Sequence, residues 1–188
     1  CSIRQMTIDA RYNFLSYQWG SLDYSHILIV DGRKLKINQS LHDFLTTVRT
    51  FTYRGPDQLH ASCHLRDNIW IDAICIDQDL ESEKNHQVAQ MGKIYSNATK
   101  VVTWPGNNHR VSSNMLPKAI VAEYVDFVWL NEYWIRAWVA QEVILARDPV
   151  LMIANHLASF PDFVRDHIDI EEANYRGEDD QEKRSWLS

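Results

Sequence analysis

Two carboxylates lie in segments of this sequence that are otherwise almost wholly apolar. Asp72 interrupts the run from Asn68 to Gln78, and Glu142 falls within a helical pattern that begins at Tyr133. A carboxylate among apolar side chains costs several kcal/mol unless it is paired or hydrogen-bonded. Burial also raises a carboxyl pKa, which is one way that a carboxylate is prepared for catalysis. Both residues are therefore candidates for chemistry.

Glu142 occupies the middle of an apolar stripe when the helix from Tyr133 onward is projected at about 100° per residue. Because the rest of this helix is also largely apolar, we expect it to be buried, with Glu142 unable to reach water by rotating outward. Two interpretations stay open: a site carboxylate, or a structural Glu satisfied by an Arg or by backbone amides. The stripe consists of Ile135, Trp138, Val139, Leu145 and Ala146.

Asp72 has a different setting, because the run around it predicts a central strand covered on both faces. With a period of two, Asp72 would share a face with Trp70, Ile74 and Ile76. We expect a structural role, with the carboxylate pointing at a covering helix. A helix amide, Arg66 or Arg136 would then be its partner.

Other catalytic signatures are weak. His60, Cys63 and His64 have a spacing that could hold a metal, but no complete tetrahedral set is visible, so an ordinary loop and no metal are expected. The sequence has no recognisable Gly-rich phosphate loop and no recognisable Ser-His-Asp arrangement.

Composition limits the function classes. The 188 residues suit one domain, and a net charge of -6 argues against nucleic-acid binding. Three scattered cysteines indicate a reducing, cytoplasmic location, and no apolar run reaches the roughly 20 residues of a membrane span. The chain begins at Cys1 and not at Met, so we expect a piece of a longer protein.

Strand and helix patterns alternate along the chain and predict an α/β fold with a mainly parallel sheet flanked by helices on both faces. Asp31-Gly32 predicts a β-hairpin insertion over residues 26–37. Besides the run at 68–78, strands are expected at 12–17, 100–104 and 150–154. Helices are expected from Asn38 or Ser40 to near Tyr53, from 79 to about 98, over 116–130 and 133–146, and around 160–168.

The carboxyl edge of such a sheet is where ligands bind. On the predicted topology this edge gathers 16–20, Asp77 with Gln78, and 104–108. From Glu171 onward charge dominates, so the predicted organisation is a single domain over 1–170 followed by a charged tail or linker over 171–188.

Several blocks, in order, resemble the fungal heterokaryon incompatibility (HET) domain. The resemblance covers most of 12–147, with small departures at Asp77, where that family usually has Asn, and at Lys84 and Pro105. The matching blocks are 12–20, Leu65-Arg66, 70–78, Gln87-Val88 with Met91, Ile94-Tyr95, Ala98, Val101 and Trp104, and 136–142 with Leu145-Ala146.

A second resemblance concerns mechanism. The strand 14–17 with its loop is similar to the first strand of TIR domains, which have a flavodoxin-like fold. The segment 138–143 is similar to the TIR helix in which a Trp precedes the NAD-cleaving glutamate by four residues. This resemblance implies an NAD+ hydrolase with Glu142 as its catalytic residue, which the helix projection had already singled out. NAD+ would be the substrate, and no cofactor would be needed.

The resemblance also implies roles for the surrounding residues. Substrate-binding positions are Ser16, Tyr17, Trp19, Gly20, Asp77 and Trp138, and Asp77 brings an extra negative charge compared with the usual Asn. Asp72 and Arg136 would be structural. For Trp19, a core anchor is the alternative to stacking on the ligand.

Two functions follow as hypotheses. The first is a TIR-like NAD+ hydrolase, an effector of fungal heterokaryon incompatibility, programmed cell death and innate immunity. The alternative is a non-catalytic signalling module of the same pathway that self-associates. Both imply self-association and an activating partner domain. A Glu142 locked against an Arg, out of reach of any pocket, would weaken the enzyme hypothesis.

Overall fold

The computed structural model describes residues 1–21, 23–51, 68–106, 128–153, 156–165 and 167–168. Its strands are β1 (Asn13–Tyr17), β2 (His26–Val30), β3 (Arg33–Ile37), β4 (Ile69–Trp70), β5 (Val101–Trp104), β6 (Pro149–Ile153) and β7 (His156–Ser159). Its helices are α1 (Gln39–Phe51), α2 (Asp72–Cys75), α3 (Glu81–Asn97) and α4 (Val139–Ile144), with a 3-10 turn at Glu132–Ile135 and a helical stretch over 160–165.

The main sheet of the described residues has the strand order β4-β1-β5-β6-β7. The first four of these strands are parallel, and β7 pairs with β6 in the antiparallel direction. The predicted α/β class with a mainly parallel sheet is confirmed. β7 was not predicted, because His156–Ser159 is a short segment without an apolar run of its own.

Two core clusters cover the two faces of this sheet. Alternation along β1 sends Leu15 and Tyr17 into the cluster that includes Phe44 of α1, whereas Phe14 packs with Tyr95 of α3. Ser16 has the same side-chain direction as Phe14 and therefore lies on the α3 face. This alternation places neighbouring residues of one strand in separate environments.

The predicted β-hairpin is present as β2 and β3, and these two strands form a sheet of their own. Asp31 and Gly32 both have positive φ, 47° and 75°, which is what a type I′ turn requires. The following helix α1 is capped by Asn38, whose Oδ1 accepts the Leu41 amide at 2.9 Å. The predicted end of α1 near Tyr53 lies outside the described residues.

The prediction of a central strand over 68–78 is wrong. β4 contains only Ile69 and Trp70, it stands at one end of the described strand order, and the chain turns into α2 at Asp72. The turn is closed by the amide of Cys75, which donates to the Ile71 carbonyl at 2.7 Å. Leaving the sheet here keeps the carboxylate out of a two-sided apolar layer, where its burial would be costly. The predicted shared face with Trp70, Ile74 and Ile76 therefore does not exist.

The predicted continuous helix from Tyr133 to Ala146 is also wrong. The 3-10 turn begins after Asn131, whose Oδ1 accepts the Tyr133 amide, and 136–138 separate it from α4. The break ends the single apolar stripe: Ile135 is 83% exposed, while Val139 and Glu142 are each 3% exposed. Trp138 and Leu145 are exposed as well, by 46% and 41%.

The remaining predicted elements are placed as follows. The helix from residue 79, the strands at 100–104 and 150–154, and a helix after Phe160 correspond to α3, β5, β6 and 160–165. Most of the predicted helix over 116–130, the loop over 107–114 and the charged tail over 171–188 lie outside the described residues. The division into a domain and a tail stays a prediction. No helix in the described ranges is both long and apolar enough for a membrane span.

Candidate active site

Glu142 is the most deeply buried carboxylate at the carboxyl end of the described sheet. α4 turns Val139 and Glu142 inward, so that the Glu142 side chain meets the end of β1. The Ser16 hydroxyl donates to Oε2 of Glu142. On the other oxygen, Nη2 of Arg136 lies 3.7 Å from Oε1. The predicted burial of Glu142 is confirmed, although the continuous helix from which it was predicted does not form.

A short chain of hydroxyl groups continues from the carboxylate. The hydroxyls of Ser16 and Tyr133 are hydrogen-bonded to each other, and Thr103 stands opposite Ser16 in the β1–β5 register. Burial and the charge of Glu142 raise the pKa of Tyr133, while the hydrogen bond with Ser16 opposes that rise. Tyr133 therefore stays a neutral phenol that can donate a hydrogen bond.

The surroundings of Glu142 have opposing effects on its pKa. Burial raises its pKa above the ordinary 4.5, and the nearby charge of Asp72 adds to that rise. The hydrogen bond from Ser16 and the positive charge of Arg136 act in the opposite direction. A carboxylate that is desolvated but still hydrogen-bonded is the kind of group that active sites use to stabilise developing positive charge.

Arg136 lies in the break between the 3-10 turn and α4. Its guanidinium carbon is 5.4 Å from the centre of the Tyr133 ring, a cation–π distance. Its Nη1 is buried and has no hydrogen-bond partner in the described part of the chain. Because its charge lowers the pKa of both Glu142 and Asp72, Arg136 stands within electrostatic reach of both carboxylates.

Asp72 forms a second polar centre at the same edge. Its Oδ2 accepts the indole N–H of Trp19 at 2.9 Å, and its Oδ1 accepts the Ala73 amide at 2.7 Å. Burial raises the pKa of Asp72, and the bond from Trp19 is the largest effect opposing that rise. The expected bond to a covering helix is replaced by this contact with Trp19 and by the amide of α2 itself. Arg66 lies outside the described residues.

The other predicted site residues are distributed around these two centres. Gly20 has φ 66° and turns the chain away after β1. Tyr17 belongs to the core cluster on the α1 face, and its buried hydroxyl has no hydrogen-bond partner in the described ranges. Asp77 is exposed and accepts the Asp79 amide in a local turn. Trp138 precedes α4 and is 46% exposed.

Sequence reasoning did not single out Tyr133, Tyr95 or Thr103. Tyr95 stands in the sequence only as one of the residues that resemble the HET domain, yet the charge of Glu142 is among the causes that raise its pKa. The hydroxyls of buried tyrosines need partners, so two tyrosines within otherwise apolar patterns were the available signal. The described residues contain no group of three or more His, Cys, Asp or Glu that could hold a metal. His60, Cys63 and His64 are not among them.

Comparisons with known proteins agree with the blocks along the chain. A family model described as "Heterokaryon incompatibility protein (HET)" matches residues 12–127. The chain is 40% identical over 103 residues to "Heterokaryon incompatibility protein 6, OR allele" of Neurospora crassa. The aligned part covers 50% of this chain and 14% of that relative, so the chain spans only a small part of the relative's length. No solved structure matches the chain.

Proposed function

The chain belongs to the heterokaryon incompatibility (HET) family, and we propose that it acts in heterokaryon incompatibility by cleaving the nicotinamide–ribose bond of NAD+. The observation that carries this proposal is the Glu142 carboxylate, 3% exposed and hydrogen-bonded by Ser16 at the carboxyl end of β1. Such burial is costly for stability and therefore needs a reason. Trp138 precedes Glu142 by four residues, a spacing similar to that in TIR domains, and this further supports the proposal.

The reaction suits a single carboxylate. When the bond between C1′ of the ribose and the pyridinium nitrogen breaks, its electron pair goes to the ring, which leaves as neutral nicotinamide. The sugar becomes oxocarbenium-like, and a fixed anion stabilises this charge mainly in the transition state. Water then adds to C1′ and releases a proton, giving ADP-ribose. Nicotinamide needs no proton to leave, unlike the alcohol in glycoside hydrolysis.

Arg136 decides the access of a substrate to Glu142. The Arg136 side chain is 23% exposed and that of Glu142 is 4%, so the arginine is the solvent side of the ion pair. The separation of 3.7 Å is longer than a direct hydrogen bond. A shift of Arg136 would open the carboxylate to the ribose while Ser16 keeps the carboxylate in place. The described arrangement is then a resting form of the site.

The direct test measures nicotinamide release from NAD+ by protein clustered through a fused self-assembling domain. Glu142→Gln preserves the shape and the Ser16 contact but removes the charge. We expect at least about a 100-fold loss of release, the order seen when one electrostatic group is removed from an active site. Glu132→Gln, in the exposed neighbouring turn, is the matched control and should keep the wild-type rate. Folding of each variant is checked by circular dichroism.

Two results would contradict the enzyme. Well-folded, clustered wild type that releases no nicotinamide would exclude the activity for this chain. Release that persists in Glu142→Gln would exclude Glu142 as its catalytic residue. The first result would shift the role of Glu142 to a structural partner of Arg136.

A second candidate, a self-associating signalling module, is favoured by a specific observation. Apolar side chains around the 3-10 turn and α4 are exposed: Leu130 by 82%, Ile135 by 83% and Ile144 by 79%. Exposed apolar groups of this size mark interaction surfaces when they are contiguous. If Ile135→Ser with Ile144→Ser abolishes association in sedimentation velocity, and clustered wild type releases no nicotinamide, this candidate replaces the enzyme.

A further inference from the structure

Trp19 is held in place at two points, although it lies in a loop. Its indole N–H donates to Asp72 at 2.9 Å, and its backbone carbonyl accepts from Nδ2 of Asn38 at 2.7 Å. Part of its side chain packs on the core cluster of the α1 face, and the residue remains partly accessible to solvent. An aromatic ring fixed in this way loses little freedom when a ligand stacks on it.

The carboxylate partner changes what this ring can bind. An aromatic ring has a negative face, and Trp binds cations over that face best among the aromatic residues. A hydrogen bond from the indole N–H to an anion polarises the donor and moves electron density toward the ring. The Asp72 contact therefore strengthens the attraction of Trp19 for a cation and gives no advantage to a neutral ring.

The surrounding charges act in the same direction. Asp72 and Glu142 bring two carboxylates to this edge of the sheet, and Arg136 lies within electrostatic reach of both. The net charge of the whole chain is -6, which also favours a cationic ligand. A planar cation is the ligand whose charge and shape both suit this position.

From this geometry we infer that Trp19, held by Asp72, is a stacking site for a cationic pyridinium ring and selects the oxidised dinucleotide over the reduced one. The pyridinium of NAD+ is planar and positively charged, whereas the dihydropyridine of NADH is neutral. Asp72 is a positioning residue, since it acts through Trp19. This inference rests on the proposed function for the identity of the ligand. It goes beyond that proposal in assigning redox selectivity to a second carboxylate.

The test uses binding in place of turnover, with Glu142→Gln as the background so that NAD+ is not consumed. Dissociation constants for NAD+ and NADH are measured by calorimetry. We expect NAD+ to bind roughly 5- to 30-fold more tightly, the range of a partly desolvated cation–π contact. Trp19→Leu should bring the ratio of the NADH dissociation constant to the NAD+ dissociation constant close to one. Tyr24→Leu removes an exposed aromatic ring from the same connection between β1 and β2, and should leave the ratio unchanged.

Two further variants separate positioning from simple folding. In Asp72→Asn the side chain can still accept the indole N–H but lacks the charge. This variant should weaken the preference for NAD+ over NADH while the melting temperature changes little. Trp19→Phe keeps a ring, loses the N–H, and should retain only part of the preference. If the role of Trp19 were purely structural, its substitution would change the melting temperature and leave the ratio of the two dissociation constants unchanged.

The results distinguish this inference from the proposed function. Equal affinity for NAD+ and NADH, or a ratio that survives Trp19→Leu in folded protein, overturns the stacking site even if clustered wild type releases nicotinamide. If neither NAD+ nor NADH binds, both the stacking site and the proposed substrate are overturned. Loss of the preference in Trp19→Leu supports it even if wild type proves inactive.

Discussion

Asp72 and Glu142 lie at the same edge of the sheet but are stabilised in different ways. Asp72 receives one of its hydrogen bonds from the next residue of its own helical turn, and it keeps some exposure. Glu142 receives its contacts from Ser16 on β1 and from Arg136, and it is 3% exposed. One of the two hydrogen bonds to Asp72 is therefore local, whereas the hydrogen bond to Glu142 comes from a distant strand.

This difference separates two uses of a buried charge. A carboxylate that is partly exposed and hydrogen-bonded by its own turn lowers the stability of the fold only a little, and it can position a neighbour such as Trp19. A carboxylate desolvated by tertiary packing is kept at a cost, since its partners must replace the water it has lost. Functional sites are where such costs are found. The contrast predicts that perturbing the partners of Glu142 affects stability more than perturbing Asp72.

The largest effect is expected from Arg136→Met. It removes the cation beside Glu142 and leaves a buried charge that Ser16 still hydrogen-bonds. Losing one partner of a buried ion pair costs about 3–5 kcal/mol, and the partial exposure of Arg136 should reduce this to roughly 2–3 kcal/mol. Urea unfolding at pH 7 measures the loss. Arg136→Lys keeps the charge and should recover most of it; an equal loss in both variants would contradict the ion-pair explanation.

Ser16→Ala should have a smaller effect, about 1–2 kcal/mol. It removes the donor to Glu142 and the partner of Tyr133 while leaving a buried carboxylate in place. The same urea titration applies. Ser21→Ala, at an exposed position, is a control that should fall within about 0.5 kcal/mol of wild type. If Ser16→Ala is as stable as Ser21→Ala, the hydroxyl chain contributes nothing to the site.

The pH dependence of stability should report the desolvation of Glu142. Its folded pKa is raised above the ordinary 4.5 by burial, so its stabilising contribution is full below that value and is lost as pH rises through the folded pKa. Glu142→Gln should remove this loss, making the difference in unfolding free energy between variant and wild type grow as pH increases. Because Glu142→Gln also loses the attraction to Arg136, the gain in stability at neutral pH should be smaller than the loss in Ser16→Ala. A difference that is constant from pH 4 to 7 would disprove the raised pKa.

The smallest effect is expected from Asp72→Asn, below about 1 kcal/mol. The amide oxygen can still accept one of the two hydrogen bonds, and the partial exposure of the site allows water to replace the other. Thermal unfolding measures the change. A destabilisation as large as that of Arg136→Met would show that Asp72 is as dependent on tertiary contacts as Glu142, and would remove the contrast between them.

Much of the fold could be predicted because its signals are local. Alternation and apolar runs identify β1, β5 and β6, and Asp31-Gly32 identifies the hairpin because few residue pairs accept two positive φ angles. Two predictions failed where local patterns and packing disagree. The run at 68–78 has the composition of a strand, but a helical turn begins within it at Asp72. The helical pattern from Tyr133 contains no Pro or Gly that would indicate the break before α4.

The candidate site shows the same division. The position of Glu142 in an apolar pattern was enough to single it out, although the stripe behind that argument is divided between a turn and a short helix. An Arg partner for Glu142 was one of the predicted alternatives, but the hydrogen bonds of Ser16 with Glu142 and with Tyr133 could not be predicted. They join β1 to a segment more than 110 residues later, and no local signal carries a contact of that sequence separation.

The sequence by itself determined the α/β class, the hairpin, the family blocks and the anomalous carboxylates, because each depends on residue types within a few turns of the chain. Only the tertiary structure decided which groups meet them. Parallel strands bring their carboxyl ends together regardless of their distance along the chain, and that placed Ser16 beside Glu142. The pairing of Trp19 with Asp72 has the same origin, since β1 and β4 are neighbours in the sheet.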